Sequence, residues 1–569
     1  MRVGGFFVVG GVAVKTTLAI RVLWDEPLRT ADAISAKFTS SAAIGSDWAP
    51  VWRWQLATCT FDRFARDVAT AVRVAFIYGK ASFSKPTSAE GVPESGWAPA
   101  VHTEGALAFL ALAQANGGIY VKAAQHLAQL DYMLPHEYAE VLGVMTHAAP
   151  RDSWPLAARI FAEEVGLPIE GQSSPFSEID HTPLASASLA QVHIARLRSS
   201  GEKVAVKIQH GGLRETAAAD IATVRALTRF AAWAFPSFDL AWLADEVAQN
   251  LPRELDFQME RANMERASTL WYDEKDIAIA IPRPIPALCR SRILTMTFEE
   301  GCYANDVAAI KKSRLVPAQV ATLTTRIFSR AVFSHGFAHC DPHAANILVR
   351  PRAPRTWVEH AWAWVGGAPT PEIVLLDHGL YRDLSPQLRR SYAAMWAALT
   401  RGDAAGMQRA GEELGCGGEG DGGGAFALLA SMLAARSYDR ILAVGAASGS
   451  VRGLAESGSV QERAVLANNA RTYARGIERV LRKLPRDLLV VLKLNDCLRA
   501  VELALGVPGH NFGEVAREAQ ISEAREARRR GGGWGCSRGR CTWLLIELHW
   551  SFALLAWVTG FGGRREGRR

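Results

Sequence analysis

The most informative stretch of the chain is His339-Cys340-Asp341-Pro342-His343-Ala344-Ala345-Asn346-Ile347-Leu348-Val349, which places an acid and an amide just before a short apolar strand. An Asp followed five residues later by Asn is one half of the polar set of an ATP phosphotransfer site. A second apolar run, Ile373-Val374-Leu375-Leu376, leads to the other half, Asp377-His378-Gly379. In such a site the first Asp orients or deprotonates the attacking group, while the Asn and the second Asp hold magnesium.

Two other interpretations explain the same stretch. Asp341-Pro342 is equally typical of an ordinary turn before two buried strands. His339, Cys340, Asp341 and His343 also have the donor types of a zinc site. The stretch alone does not separate the three interpretations, so the rest of the chain must do so.

Composition narrows the class of protein. At 569 residues the chain is too long for one ordinary core, and 49% hydrophobic with 21% charged residues fits a folded protein. The net charge of +7 partly reflects arginines crowded near the end, which favour an anionic lipid, although a solvated tail explains them equally. No aromatic-plus-basic surface pattern indicates nucleic acid. The eight cysteines are scattered without CxxC, which favours a reducing compartment over a disulfide scaffold.

The two ends of the chain suggest targeting and a membrane. Residues 1–24 contain no acid and predict a targeting segment or a short anchor, with an organellar presequence as the leading interpretation, a plastid address included, and an ordinary first strand also open. Residues 25–100 form a poorly defined region with a linker. Within the basic tail 511–569, Thr542–Phe561 is apolar apart from Glu547 and His549, so it suits either a membrane span or a surface helix.

A helical extension is predicted over residues 101–170, with helical apolar spacing from Glu104 to Ala149 and a further helix at Trp154–Val165. Lys122 and Gln125 lie three residues apart and therefore share a helix face. Without other context they read as a solvated surface pair.

A small lobe is predicted over residues 171–300. The small-residue loop Ala185-Ser186-Ala187-Ser188 enters a strand, and Val204-Ala205-Val206-Lys207-Ile208 forms the next strand of a hairpin turning at Ser199-Ser200-Gly201. In a phosphotransferase such a loop covers the phosphates and the strand lysine reaches the α/β oxygens. Ala and Ser give the loop backbone less freedom than Gly would. A snorkelling strand lysine is the alternative for Lys207.

An acidic motif lies in a helical run predicted from Ala241 through Leu270. Its acids Glu254, Asp256 and Glu260 cannot all share one helix face, so at least two partners are implied unless all three are solvated. In a kinase-like site a helix Glu pairs with the strand Lys, and Glu260 is the candidate.

A larger helical lobe is predicted over residues 301–510, with Val316–Ser334 as the helix that precedes the opening motif. The insert Arg350–Pro371 is irregular and contains three tryptophans; an elongated hairpin between the two apolar strands is expected there. A Gly-rich loop at Gly415–Gly424 and helices at Ala464–Leu481 and Leu488–Leu505 complete this lobe.

Taken together, these motifs resemble the aarF/UbiB (ABC-one-type) atypical kinase family, some members of which support ubiquinone biosynthesis. The likeness covers roughly residues 68–510 and is strongest to the aarF-domain-containing kinase one branch. It is carried by the order Lys-x-x-Gln, Ala-rich loop, Val-Ala-Val-Lys, Glu-Leu-Asp-Phe-x-x-Glu, His-x-Asp-Pro-His-x-x-Asn and Leu-Asp-His-Gly. The resemblance implies an α+β, protein-kinase-like two-lobe fold with a family-specific N-terminal helical extension.

The resemblance also implies roles for individual residues. Asp341 would be catalytic, and Asn346 and Asp377 would bind Mg²⁺. Lys122, with Gln125, would pair with Glu254 and Asp256 over the place where a protein substrate docks, which disfavours the surface-pair interpretation. ATP would contact a set comprising Ala185, Ser186, Ala187, Ser188, Lys207, Glu260 and Met296.

Three departures from the family pattern stand out. Ala124 replaces the Gly of Lys-x-Gly-Gln, Ala344 and Ala345 replace a Pro-Gly pair, and the Trp-containing insert has no assigned counterpart. None of these removes a charged group that the chemistry needs. We therefore expect an ATP- and magnesium-dependent phosphotransferase or ATPase in mitochondrial lipid or quinone metabolism, acting on a membrane lipid or small lipophilic molecule. A catalytically weak pseudokinase scaffold that senses nucleotide or lipid is the alternative.

Overall fold

The computed structural model describes ten stretches of the chain: residues 49–83, 98–128, 135–146, 151–234, 252–355, 357–416, 424–434, 436–448, 484–507 and 509–530. They belong to two compact units. The first contains the chain through Ala262 and the segment Arg283–Phe298; the second contains Asn263–Pro282 and the chain from Glu299 onward. The predicted targeting segment 1–24, the helix Ala464–Leu481 and the apolar stretch Thr542–Phe561 lie outside the described residues.

The first unit begins with helices that pack through small and apolar side chains around Tyr120 and Leu142. The predicted helical character of Glu104–Ala149 is confirmed where this region is described. The helix is interrupted at Gly117, whose φ of +64° suits glycine. The Gly117 N–H donates to Ala113 O and ends the preceding helix. These helices are α1 Ala49–Phe83, α2 Pro99–Asn116, α3 Gly118–Ala128 and α4 His136–Leu142.

A small antiparallel sheet follows helix α5, which spans Trp154–Val165 as predicted. The first unit holds β1 Phe176–Ile179, β2 Ala185–Ser186, β3 Ala190–Leu197 and β4 Lys203–Gln209; β5 Ile279–Ala280 lies in the second unit, and β6 Ile293–Thr297 returns to the first. The order is β1-β3-β4-β6, with β2 paired to β3. The expected β3–β4 hairpin is confirmed, with Gly201 at φ +70° in its turn.

The sheet is held by alternating strand residues that face α5. Val204, Val206 and Ile208 are fully buried and pack against Ile160 and Phe161. Burial of side chains of this size contributes roughly 1.5–3 kcal/mol each, so this contact fixes β4. Lys207 is therefore carried by a central strand rather than by a loop.

The acidic motif is not part of one continuous helix, and in this respect the prediction for Ala241–Leu270 is wrong. The chain departs from helical geometry at Leu255-Asp256, and α7 spans Phe257–Tyr272. The Asp256 carboxylate accepts from Gln258 N, while the Leu255 carbonyl accepts from the side chain of Gln209. A short acid that caps the next helix favours a break at this point. Helix α6 spans Leu213–Ala234.

The second unit contains a sheet of order β5-β10-β9-β7 and a separate β8–β11 pair. Strands β9 and β10 pair antiparallel, with Ile347 opposite Leu375 and Pro351 opposite Pro371. The strands are β7 Cys302–Tyr303, β8 Phe337–His339, β9 Ile347–Pro351, β10 Pro371–Leu375 and β11 Tyr381–Asp383.

Helices make up most of the rest of this unit. They are α8 Val307–Lys312, α9 Pro317–Arg330, α10 Trp357–Trp364, α11 Pro386–Arg401, α12 Ala404–Gly411, α13 Gly424–Ala434, α14 Tyr438–Ser448, α15 Arg486–Ala504 and α16 His510–Arg530. Within the described part of the chain, no helix combines the length and apolar character needed to cross a bilayer.

The insert differs from the simple hairpin that we expected, because it contains helix α10. Glu359 explains the helix: its carboxylate accepts from Arg355 N at 2.6 Å, which satisfies a backbone donor before the first turn. Pro354 precedes the helix, and Gly366, two residues after the end of the helix, has a φ of +80°.

Candidate active site

In the first unit, Lys207 on β4 forms a two-point ion pair with Glu260 on α7. Its Nζ lies 2.8 Å from both carboxylate oxygens, and the Glu260 side chain is almost fully buried. The ammonium group also lies 5.1 Å from the centre of the Phe257 ring. The break at Asp256 starts α7 so that Glu260, in its first turn, reaches the strand lysine.

The small-residue loop is a closed hairpin. Ala185 and Ser186 pair with Val192 and Gln191, and Ala187 N donates to Ala190 O at 2.8 Å. The amide of Ala187 is thus used within the hairpin, and Ser188 is buried. Met296 is buried on β6, where it pairs with Ala205 of β4.

Lys122 does not belong to a solvated surface pair. Its Nζ lies 2.9 Å from the Glu254 carboxylate, and both side chains are largely buried. Gln125 donates instead to the backbone of Met145, and Asp256 caps α7. Ala124, the residue that departs from the expected Lys-x-Gly-Gln pattern, is fully buried in the helical core.

In the second unit, the sheet register brings Asn346 and Asp377 to the same edge. Asn346 immediately precedes β9 and Asp377 follows β10, and these strands run antiparallel. The Leu376 N–H donates to Asn346 O at 3.0 Å, which extends the ladder by one step beyond the strands. The pairing of β9 with β10 therefore determines where both polar side chains lie.

His339 joins the two acid-bearing segments of this unit. Its Nε2 lies 2.7 Å from Asp377 O, and its Nδ1 accepts from Asp341 N at 3.0 Å. Because a carbonyl oxygen only accepts, Nε2 must carry the ring proton. Because Nδ1 accepts a hydrogen bond, it carries no proton, and the imidazole is therefore neutral. Burial lowers the pKa of His339, which keeps this tautomer at neutral pH.

The zinc interpretation is not supported by this geometry. Both ring nitrogens of His339 are used in hydrogen bonds, and Cys340 Sγ is directed at Ala338 O. Among the described residues, no three or more His, Cys, Asp and Glu side chains form a group that fits a metal ion.

Asn346 and Asp377 instead fit a magnesium site. The Asn346 Nδ2 donates to Asp341 O at 3.2 Å and to His343 Nε2 at 3.1 Å, so the amide oxygen Oδ1 is turned away from both. One carboxylate oxygen of Asp377 accepts from Gly379 N at 2.8 Å, which fixes the orientation of the group. Amide and carboxylate oxygens are the protein ligands that Mg²⁺ prefers.

Asp341 has a cationic partner that sequence reasoning missed. Lys493 Nζ on α15 lies 3.3 Å from its Oδ1, and both side chains are about four-fifths buried. His343 Nε2 is 3.5 Å away, but it accepts from Asn346 and so carries no proton to donate to Asp341. The one signal in the sequence was a lysine inside the apolar run Leu488-Leu489-Val490-Val491-Leu492-Lys493-Leu494.

Comparison with known proteins gives a consistent assignment. Residues 144–411, which include Lys207, Glu260, Asp341, Asn346 and Asp377, match the sequence model of the ABC1 atypical kinase-like domain. An ABC1 protein of Arabidopsis thaliana is 37% identical over 86% of this chain and 89% of its own. AarF domain-containing protein kinase 1 of Xenopus tropicalis is 36% identical over 71% of each chain, and the protein of the same name in Mus musculus is 35% identical over 78% of each. The chain belongs to the ABC1 atypical kinase-like family.

Proposed function

We propose that the protein binds ATP with Mg²⁺ and catalyses phosphoryl transfer or ATP hydrolysis. The observation that carries the proposal is the arrangement around His339, where one neutral imidazole holds the backbones of Asp341 and Asp377 together. Preorganised groups of this kind need little rearrangement when charge develops during the reaction. Kinase-family membership makes nucleotide the natural ligand of these groups.

Each residue has a distinct role in this proposal. By the family resemblance, Lys207, held by Glu260, would contact the nucleotide phosphates, and the Ala185–Ser188 hairpin and Met296 would contact the nucleotide. Asn346 and Asp377 would hold the magnesium ion, which neutralises phosphate charge when bound. Asp341 orients the acceptor group or takes its proton, and Lys493 holds the Asp341 carboxylate in place.

We further propose that the acceptor is a membrane lipid, a small lipophilic molecule or water, in a mitochondrial setting. The buried Lys122–Glu254 pair supports a non-protein acceptor, because the family resemblance places this pair over the protein-docking position. A plastid setting is the alternative location. A role in quinone or lipid metabolism agrees with the basic and apolar character of the chain's end.

An ATPase assay with and without anionic liposomes tests this function. Wild-type protein should release phosphate in a Mg²⁺-dependent reaction, and Asp377→Asn should lower the rate by at least about two orders of magnitude, the effect expected from losing a metal ligand. The pseudokinase scaffold predicts a different result: nucleotide would raise the melting temperature, but no phosphate would appear with any lipid. The closed Ala185–Ser188 hairpin is the feature that favours that second candidate.

A further inference from the structure

Helix α10 in the insert exposes large apolar side chains along one face. The exposed fractions are 82% for Trp357, 89% for Trp364 and 65% for the adjacent Val365. Trp357, Ala361 and Trp364 are spaced four and three residues apart, which places them on one side of the helix. We call Trp357, Ala361, Trp364 and Val365 the tryptophan stripe. Single exposed apolar residues are common, but two exposed tryptophans on one face of a helix indicate a contact surface.

The stripe is held outward by a fixed helix. Glu359, the acid of α10, is paired with Arg352 and also accepts from Arg355 N. At the other end, Arg314 donates to Gly366 O at 2.5 Å. Arg314 has a φ of +60°, a conformation that residues other than Gly, Asn and Asp seldom adopt. The helix is thus tied at both ends while Trp357 and Trp364 remain exposed.

Basic residues flank the helix that carries the stripe. Lys311 and Lys312 end helix α8 and are exposed, as is Arg314 two residues later, beside Gly366. Arg355, just before α10, is also exposed; its guanidinium lies 3.9 Å from Glu372, a largely buried acid that Arg350 contacts more closely. Glu359, the acid of α10, is already paired with Arg352 and so does not neutralise Arg314 or Arg355.

We propose that the tryptophan stripe and these basic residues dock the protein on an anionic lipid surface. This inference rests on the membrane setting proposed above, but not on ATP turnover. Tryptophan favours the membrane–water interface, where its ring enters the acyl boundary and its N–H stays hydrated. Each nearby Lys or Arg adds electrostatic attraction to anionic headgroups, which salt weakens.

A bilayer suits this surface better than a second copy of the chain. On docking, each of the two tryptophans would bury roughly 150–250 Å². Their combined area is less than the ~800 Å² that each partner buries in a stable protein interface. The stripe is also a projecting helix face rather than a groove. Aromatic rings on one face together with nearby cations are, by contrast, the features of a helix that lies at a membrane interface.

Hydrogen exchange of the full-length protein tests the proposal at the insert itself. Exchange of the amides in residues 357–366 is compared with no vesicles, neutral phosphatidylcholine vesicles, and vesicles containing about one-third phosphatidylserine or cardiolipin. We expect at least a fivefold slowing on anionic vesicles, weakened by high salt. The double variant Trp357→Ala with Trp364→Ala should lose this slowing, and Lys311→Ala with Lys312→Ala should reduce it.

Tyr272→Ala is the matched control, because Tyr272 is 84% exposed but lies at the end of α7. In this variant, exchange of the amides in residues 357–366 should slow on anionic vesicles as much as in wild type. Undiminished slowing in the double tryptophan variant, or none in wild type, would overturn the proposal. Slowing that depends on protein concentration without vesicles would indicate a second copy and also overturn it. Phosphate release is measured separately in solution, so failure of docking and failure of ATP turnover give different results.

Discussion

The ammonium group of Lys493 lies 3.3 Å from the carboxylate of Asp341, although 152 residues separate them in the chain. Asp341 thus has a fixed cation in a largely buried setting, where a charge contact is stronger than on the surface. Removing the cation takes away one contact of the carboxylate and leaves its charge unbalanced.

Lys493→Met should therefore lower ATP turnover about tenfold to a hundredfold, while the affinity for ATP changes little. Lys493→Arg should recover part of the rate, since it restores the charge. The readout is kcat alongside the nucleotide dissociation constant. Lys275→Met, at an exposed lysine of the same unit, serves as the control. Equal turnover in Lys493→Met and wild type would exclude this role.

Lys207→Met should weaken ATP binding about tenfold to a hundredfold, because a charge-assisted hydrogen bond contributes roughly 1.5–3 kcal/mol. Glu260→Gln should weaken it less, since the lysine remains but loses its two-point partner. Lys203→Met on the same strand should bind ATP normally; its Nζ lies over the Phe298 ring instead. Calorimetric titration measures all three, and equal affinities throughout would refute the assignment of Lys207.

Arg330 is the centre of a buried ion-pair network in the second unit. Its guanidinium contacts Glu518, Glu274 and Asp276 at 2.8–2.9 Å, and Glu518 is fully buried. Arg330→Met should lower the free energy of unfolding by about 3–5 kcal/mol, because the fully buried Glu518 loses one of its two arginine partners and Glu274 loses its nearest cation. Arg266→Met, which breaks the exposed pair with Asp383, should cost at most about 1 kcal/mol. Denaturant unfolding compares them; equal losses would show that burial does not matter here.

Glu502 should make stability depend on pH. Burial raises the pKa of Glu502 from its ordinary 4.5 to about 8. Between these values the unfolded chain loses the proton and the folded chain keeps it, so stability falls as pH rises from 4.5 to 8 and is constant above. Glu502→Gln removes this effect. Its advantage over wild type should be near zero at pH 4 and reach at most about 5 kcal/mol at pH 8. Melting temperatures of both proteins across this range provide the test, and a pH-independent difference would contradict it.

Much of the first unit was predictable because its signals are local. The β-branched run Val204–Ile208 marked β4, and the apolar spacing of Trp154–Val165 gave α5 at its observed bounds. The break at Leu255-Asp256 was missed because the surrounding residues favour a helix. Asp256 interrupts the helix because its carboxylate accepts a hydrogen bond from Gln258 N and so caps α7.

The second unit shows why some site features were not predictable. Lys493 meets Asp341 only through tertiary packing of α15, and no local pattern in the sequence reports that contact. Helix α10 was missed because it has only eight residues, Trp357–Trp364, which is too short for a helical period to stand out in the sequence. By contrast, the order of motifs from Lys122 to Asp377 was sufficient to predict the kinase-like fold.

The most direct test of the account is the affinity of purified protein for ATP, measured by calorimetry with Mg²⁺ and with EDTA, in wild type and Asp377→Asn. We predict that Mg²⁺ raises the affinity of wild type at least about tenfold and has little effect on Asp377→Asn, because the metal would then lack a carboxylate ligand. An undiminished Mg²⁺ effect in Asp377→Asn, or ATP binding by wild type that ignores Mg²⁺, would contradict the assignment of Asn346 and Asp377 as the magnesium site.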